Sequence, residues 1–236
     1  MLKRLLYNVA KEAEINLTDL QLEKFQIYYE LLIETNKVMN LTSITEEHDV
    51  VNKHFLDSIM LEKYIQLGCG KVIDVGTGAG FPGIPLAIIN DDVHFTLLDS
   101  LNKRINFLNI VIERCGLDNI ETVHSRAEDL GHNDKYREKF DYCISRAVAS
   151  MPVLLEYCIP FVKIGGKFIS YKSENTEDEV KQSVNAQQKL GCKFVQSYGF
   201  ELPGTDILRK LYVFEKNSKN SKSYPRQAGK PKKNPL

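Results

Sequence analysis

The chain has no tryptophan, and its five cysteines (Cys69, Cys115, Cys143, Cys158, Cys192) are odd in number and scattered, with no C-x-x-C pair. That usage excludes a disulfide framework and the spacing of a zinc site. Cys143 lies in an apolar run, where a free thiol serves packing far more often than nucleophilic chemistry. His48, His94, His124 and His132 show no ligand spacing, and no metal is expected. No apolar stretch reaches the ~18 residues that a membrane span requires. The opening Met1–Tyr7 is basic but turns polar at Asn8, so no secretory core follows and a cytoplasmic location is expected.

The formal net charge of zero hides an asymmetry. After Glu215 the last 21 residues carry seven Lys or Arg and no acid, which leaves the rest of the chain with seven more acids than bases. An acidic body with a basic tail suits an anionic polymer as partner. Solubilisation by a disordered end is the plainer alternative.

Three segments follow from texture. Residues 1–66 read as helices: Thr18 and Gln21 have capping-box spacing, and Leu22, Phe25, Tyr29 and Leu32 then recur at helical steps. A second helix start is expected near Thr45, with Val51, Phe55 and Ile59 on its buried side. Residues 67–215 alternate short β-rich runs (Lys71–Val75, His94–Asp99, Ile120–His124, Phe140–Ser145, Lys167–Tyr171) with helical stretches at Leu101–Cys115, Met151–Val162 and Asn175–Leu190. That rhythm implies βαβ units on a mostly parallel sheet. Two runs without a helix between them, Lys193–Tyr198 and Lys210–Glu215, add an antiparallel C-terminal hairpin. The fold expected is therefore α/β and Rossmann-like, with an N-terminal helical segment. Residues 216–236 form a basic tail, expected to be loosely structured from Ser218 onward.

The central motif runs from Val72 to Gly83, where a buried strand enters a turn with glycine at positions 76, 78 and 80. Ligands of open α/β sheets lie at the carboxyl ends of the strands, beside this turn. The dinucleotide spacing is G-x-G-x-x-G; here it is G-x-G-x-G, preceded by Asp74 and followed by Phe81. A cationic donor without phosphate, S-adenosyl-L-methionine, suits an acid at Asp74. Asp99 ends the next strand 23 residues after Gly76, where a carboxylate accepts both ribose hydroxyls. Ala127 and Glu128 follow the third strand, a usual place for adenine.

These residues resemble the ribosomal RNA small subunit methyltransferase G family, also called glucose-inhibited division protein B, over essentially the whole length. The markers are Asn40-Leu41-Thr42, His54 with Asp57-Ser58, the turn Gly78–Pro85, Ser145-Arg146-Ala147, and the tail Tyr224-Pro225-Arg226 with Gly229, Pro231, Lys233 and Pro235-Leu236. The resemblance implies a methyltransferase that modifies guanine N7 in small-subunit (16S) ribosomal RNA, near the decoding centre. It also implies that Gly76, Phe81, Ala127, Glu128 and Arg146 line the cofactor pocket, with Asp99 at the ribose. Lys172 matches a lysine after the fifth strand, although Ser173 stands where glycine is expected.

Guanine N7 has an in-plane lone pair and loses no proton on methylation, so no general base is needed. In-line placement alone supplies up to ~7–11 kcal/mol. The lack of an Asp-Pro-Pro-Tyr motif and of a Pro-Cys nucleophile fits that chemistry. Arg146 is expected to orient the guanine through O6 or a nearby phosphate; a structural pairing with Glu128 or Asp141 is the other reading. His54 and Asp57 brace the site from the helical segment, or simply bond each other. Lys172, Arg209, Arg226, Lys230, Lys232 and Lys233 are the candidates for RNA contact, and losing the tail is expected to leave cofactor binding unchanged. The partner expected is small-subunit ribosomal RNA or a subunit assembly intermediate, bound by a monomer. Rival readings are a small-molecule or protein methyltransferase on the same fold, a nicotinamide oxidoreductase (disfavoured by the glycine spacing and the missing Tyr-x-x-x-Lys), and a non-catalytic RNA-binding module.

Overall fold

Thr18 opens the longest helix by reciprocal capping: its hydroxyl accepts from the Gln21 amide at 3.2 Å, and the Gln21 side chain accepts from the Thr18 amide at 2.9 Å. The computed structural model describes residues 1–173 and 176–236. Helix α1 (Leu2–Glu12) precedes α2 (Asp19–Met39), whose buried residues are Leu22, Phe25, Tyr28 and Leu32. The inward tyrosine is thus Tyr28 and not Tyr29, which is only half-buried. The next helix starts later than Thr45: Glu46 precedes α3 (Glu47–Val50) without a side-chain cap. The Thr42 hydroxyl already holds the preceding turn, accepting from the Ile44 amide. The chain then widens into a π-helical turn, Val51–Leu56, before α4 (Asp57–Ile59) and α5 (Leu61–Tyr64).

From Lys71 the expected alternation is present. Strands β1 (Lys71–Val75), β2 (His94–Asp99), β3 (Ile120–His124), β4 (Phe140–Arg146) and β5 (Val162–Ser173) are parallel, and β6 (Cys192–Glu201) and β7 (Leu208–Lys216) form the antiparallel hairpin. The sheet order is β3-β2-β1-β4-β5-β7-β6, so the chain reverses direction across the sheet beside β1, where a ligand crevice forms. Helices α6 (Gly83–Ile89), α7 (Asn102–Cys115), α8 (Ala127–Leu130), α9 (Met151–Cys158), α10 (Glu177–Gln182) and α11 (Val184–Leu190) cover the two faces. The expected helix from Asn175 is two short ones, and Asn175 itself lies outside the described residues. No helix among the described residues is long and apolar enough to cross a membrane.

The N-terminal helices are continuous with the main core. Phe25, Tyr28 and Phe55 share one apolar cluster with Val72, Leu97 and Ile144 of the sheet and with Leu108 of α7. A second cluster joins the opposite face to α9 and α11 and holds Cys143 and Cys158, both fully buried. The tail corrects an expectation: it folds back along α9 and closes in a short helix, α12 (Lys230–Lys233). Its own side chains provide the reason. Arg226 forks onto the fully buried Glu156, and Pro231 is buried, so the basic composition conceals an anchored segment.

Tyr28 ties the helical segment to the glycine turn, donating to the Ala79 carbonyl at 2.5 Å. Gly80 has φ +104, and a Cβ there would stand 2.7 Å from the Tyr28 hydroxyl oxygen, so a side chain would break this contact. Replacing Tyr28 by Phe leaves a carbonyl unpaired in the core. It should cost about 1–3 kcal/mol, read as a lower thermal unfolding midpoint with the fold retained; an unchanged midpoint would contradict the tie.

Candidate functional site

Strand β4 delivers Arg146 to its carboxyl end, and Ala147 then turns the chain with φ +57. The segment 146–148 separates two cavities. On one side a cavity of 360 Å³ is lined by Gly76, Asp99, Ser125, Ala127, Glu128 and Val148, among others. On the other a cavity of 430 Å³ is lined by Lys53, His54, Asp57, Arg146, Lys172, Glu179 and Arg209, with Ala147 at the partition.

The first cavity has the character expected of a nucleoside site. Gly76, at φ +74, faces Val148, whose Cγ2 would stand 2.6 Å from any added Cβ. A side chain here would collide with the partition. Asp99 is buried and accepts the Leu101 amide on Oδ1 and the Gly78 amide on Oδ2, both at 2.9 Å. Arg104 takes the second Oδ2 lone pair at 3.2 Å. Oδ1 therefore keeps one acceptor position open, while a second hydroxyl requires the half-exposed Arg104 to move aside. Ala127 and Glu128 begin α8 at the far end. These groups fit S-adenosyl-L-methionine: Gly76 would offer it bare backbone, Asp99 would accept a ribose hydroxyl, and Ala127 would border the adenine.

Asp74 departs from expectation. It is fully buried beneath the turn, accepts the Gly83 amide at 3.0 Å on Oδ2, and lines neither cavity. Burial pushes its pKa up to about 7, with the Gly83 amide and the neighbouring Thr77 hydroxyl pulling the other way. Its place is structural, pinning the start of α6 to β1. Gly78 meets the site through its amide on Asp99. Phe81 lies under the second cavity, with His54 stacked on its ring at 4.3 Å and the Arg146 guanidinium 5.2 Å from its centroid.

In the second cavity a carboxylate organises the cations. Asp57 accepts Arg146 Nη1 on Oδ2 at 2.8 Å, and Arg209 Nε lies 3.3 Å from Oδ1. Arg146 Nη1 also donates to the Lys53 carbonyl at 3.1 Å, and Nη2 contacts His54 Nδ1 at 3.2 Å. Both alternative partners are thereby excluded for Arg146: Glu128 accepts the Gly229 amide, and Asp141 holds Lys163 and the Lys71 amide. His54 does not bond Asp57. Its Nδ1 stands 3.2 Å from both Arg146 Nη2, which only donates, and the Lys53 carbonyl, which only accepts, while Nε2 meets the Thr42 hydroxyl at 2.9 Å.

Among the expected RNA ligands, three are already engaged. Lys172 donates to Glu179 (2.7 Å) and to the Ala149 carbonyl (2.8 Å), bracing the loop after Arg146. Ser173 is an ordinary strand residue paired with Arg209, so the backbone there requires no glycine. Arg209 leans on Asp57, and Arg226 is held by Glu156. Lys230, Lys232 and Lys233 are exposed. Sequence reading missed Val148, Tyr157, Gly229 and Lys232 as parts of the first cavity. Only the tail markers hinted at Gly229, because nothing local shows where a distant segment docks. No cluster of three or more metal-ligating side chains occurs among the described residues.

A sheet of this order, with a glycine turn and a buried acid at its crevice, is that of an S-adenosylmethionine-dependent methyltransferase of Rossmann-like fold. Solved structures share the fold. M. jannaschii TYW2 in complex with AdoMet superposes with a TM-score of 0.53 at 17% identity, over 68% of this chain and 76% of that one. A SAM-dependent methyltransferase from Aquifex aeolicus gives 0.54 at 16%, over 71% and 93%. The chain belongs to the rRNA small subunit methyltransferase G (GidB) family, whose model matches residues 21–203. Proteins called ribosomal RNA small subunit methyltransferase G from Desulforamulus reducens and Acetivibrio thermocellus are 47% and 49% identical. They cover 98% and 100% of this chain, and 97% of their own length in each case.

His54 supplies a pH test. Burial, reinforced by Arg146, pushes its pKa down to about 3, against about 6.5 when unfolded. A lowered pKa means the native state binds fewer protons, so this contribution is full above pH 6.5 and declines as pH falls toward 3. Asp74 acts oppositely, its contribution being lost as pH rises toward 7. Comparing His54→Gln with the parent isolates the histidine. Between pH 7 and 5 the parent should lose up to about 1.4 kcal/mol per pH unit more than the variant; parallel unfolding curves would refute a buried neutral His54.

Proposed function

We propose that this chain transfers the methyl group of S-adenosyl-L-methionine to N7 of one guanine in the RNA of the small ribosomal subunit. It acts in the cytoplasm, as a monomer, on that RNA or on a subunit assembly intermediate. One observation carries the reading: a nucleoside-like cavity and a cavity rich in cations meet at residues 146–148. Four cations (Lys53, Arg146, Lys172, Arg209) against two acids (Asp57, Glu179) line the second cavity, a balance that favours a polyanion. The same partition would bring a base from the RNA side against the donor.

The cofactor supplies an electrophilic methyl group; the side chains need only orient the acceptor and exclude competitors. Guanine N7 needs no proton removed, and among the described residues the acids of the second cavity are paired, Glu179 with Lys172 and the Met151 amide. Asp57 is committed to Arg146 and Arg209, and His54 Nδ1 faces a guanidinium. With Nη1 held by Asp57 and the Lys53 carbonyl, Arg146 keeps its Nε–H and one Nη2–H without partners among the described residues. Those donors suit guanine O6, the acceptor adjacent to N7. Asp57 also answers an electrostatic difficulty, because its negative charge offsets Arg146 beside a ring that becomes cationic. The tail lysines Lys230 and Lys233 serve phosphates at the rim.

Arg146→Lys retains the charge on Asp57 but loses the fork. Labelled methyl transfer to small-subunit RNA should fall roughly 100-fold or more, with cofactor affinity within a few-fold by calorimetry. Undiminished transfer would end the assignment, and mapping the methylated nucleotide in RNA checks N7 directly. Replacing Lys230 and Lys233 together by Ala should flatten the salt dependence of RNA binding by roughly 0.7–0.9 in log–log slope for each lost phosphate contact; an unaltered slope would remove the tail from the RNA surface.

A further inference from the structure

Taking the 360 Å³ cavity as the cofactor site, as proposed above, we infer that the C-terminal strap forms its outer wall. Arg226 positions that wall, and Gly229 and Lys232 belong to the cofactor-binding residues. Glu156, on α9, is fully buried. A bare carboxylate at such a depth is strongly disfavoured, and among the described residues the hydrogen bonds that neutralise it come from the strap. The Arg226 amide donates to Oε1 at 2.7 Å, Nε reaches both oxygens at 2.8 and 3.1 Å, and Nη2 donates to Oε2 at 2.6 Å. A fork of this kind fixes both position and orientation.

A second anchor precedes it. Arg137 donates to the carbonyls of Asn220, Ser221 and Tyr224, and His132 Nε2 contacts the Pro225 carbonyl at 2.7 Å. The backbone between Asn220 and Arg226 is thus held along the body before it reaches the cavity. Three residues beyond Arg226 the chain turns at Gly229, φ +83, and the Gly229 amide donates to Glu128 Oε1 at 3.0 Å. Gly229 and Lys232 then line the cavity together with Tyr157, which stands one residue after Glu156 on the same helix. The lock and the wall therefore share a support, and a shift at residue 226 is transmitted to Gly229 and Lys232. The ligand portion concerned is the adenosine half of the cofactor, since Glu128 and Ala127 form the adjoining shelf. The expectation that the tail serves RNA alone is replaced: its removal would open the donor pocket.

Calorimetry with S-adenosyl-L-methionine on the full chain tests this, with steady-state kinetics alongside. Arg226→Gln should weaken cofactor binding about tenfold and Lys232→Ala about threefold, with Arg226→Lys recovering part of the loss. The KM for cofactor should rise in step while kcat at saturating cofactor is kept. A merely structural Arg226 would lower kcat, or the folded fraction, with no change in that KM, and this result overturns the inference. Should Arg226→Gln fail to fold, the exposed Lys232→Ala decides alone. Asp99→Asn separates the two levels. If it weakens binding while both strap variants stay within about twofold of the parent, the strap inference fails by itself. If Asp99→Asn leaves affinity unchanged, the location of the cofactor fails instead.

Discussion

A buried carboxylate must be paired, and Asp57 takes its partners from the opposite end of the fold. It lies at the end of the π-helical turn in the N-terminal segment, yet its cations come from β4 and β7, at Arg146 and Arg209. Leaving either charge bare would cost several kcal/mol. The helical segment is thus pinned against the carboxyl edge of the sheet, where chemistry in this fold takes place. The same pairing fixes the plane of Arg146 over Phe81 and lowers the local positive charge that a methylated guanine would meet. Position, orientation and electrostatics all follow from one ion pair.

The glycine turn is stabilised from three sides. Asp74 holds the start of α6, Asp99 holds the Gly78 amide, and Tyr28 holds the Ala79 carbonyl. A turn with several left-handed residues has little stability of its own, and these contacts replace it. The acid on the strand is accordingly a brace under the turn, whereas the acid at the end of the next strand faces the cavity. Both look alike in sequence; burial separates them. Asp74, with no exposure, is pushed by burial toward its neutral form against the pull of Arg146, a poor property for binding a cationic ligand.

The tail shows how composition misleads about order. Seven basic residues without an acid suggest a disordered end, and five of them are exposed: Lys219, Lys222, Lys230, Lys232 and Lys233. Yet Lys216 is fully buried on Glu138 and Arg226 is locked on Glu156. The acids that neutralise them lie 78 and 70 residues away in the chain, outside any local window of composition.

Much of the architecture was legible in the chain. Hydrophobic period and turn chemistry are local, so the strands from Lys71 onward, the capping box at Thr18, the glycine turn and the acid Asp99 at the end of β2 could all be placed. So could the cofactor and the family, because the G-x-G-x-G spacing and the motif around Arg146 are contiguous. Only the tertiary structure decided which partner each charge takes: Asp57 for Arg146, Glu179 for Lys172, Glu156 for Arg226. It also decided that the tail borders the cavity beside Gly76 and Asp99 and that Asp74 lies beneath the turn. Ion pairs and cavity walls arise between residues far apart in sequence, and their energies depend on burial and direction, which no linear pattern encodes.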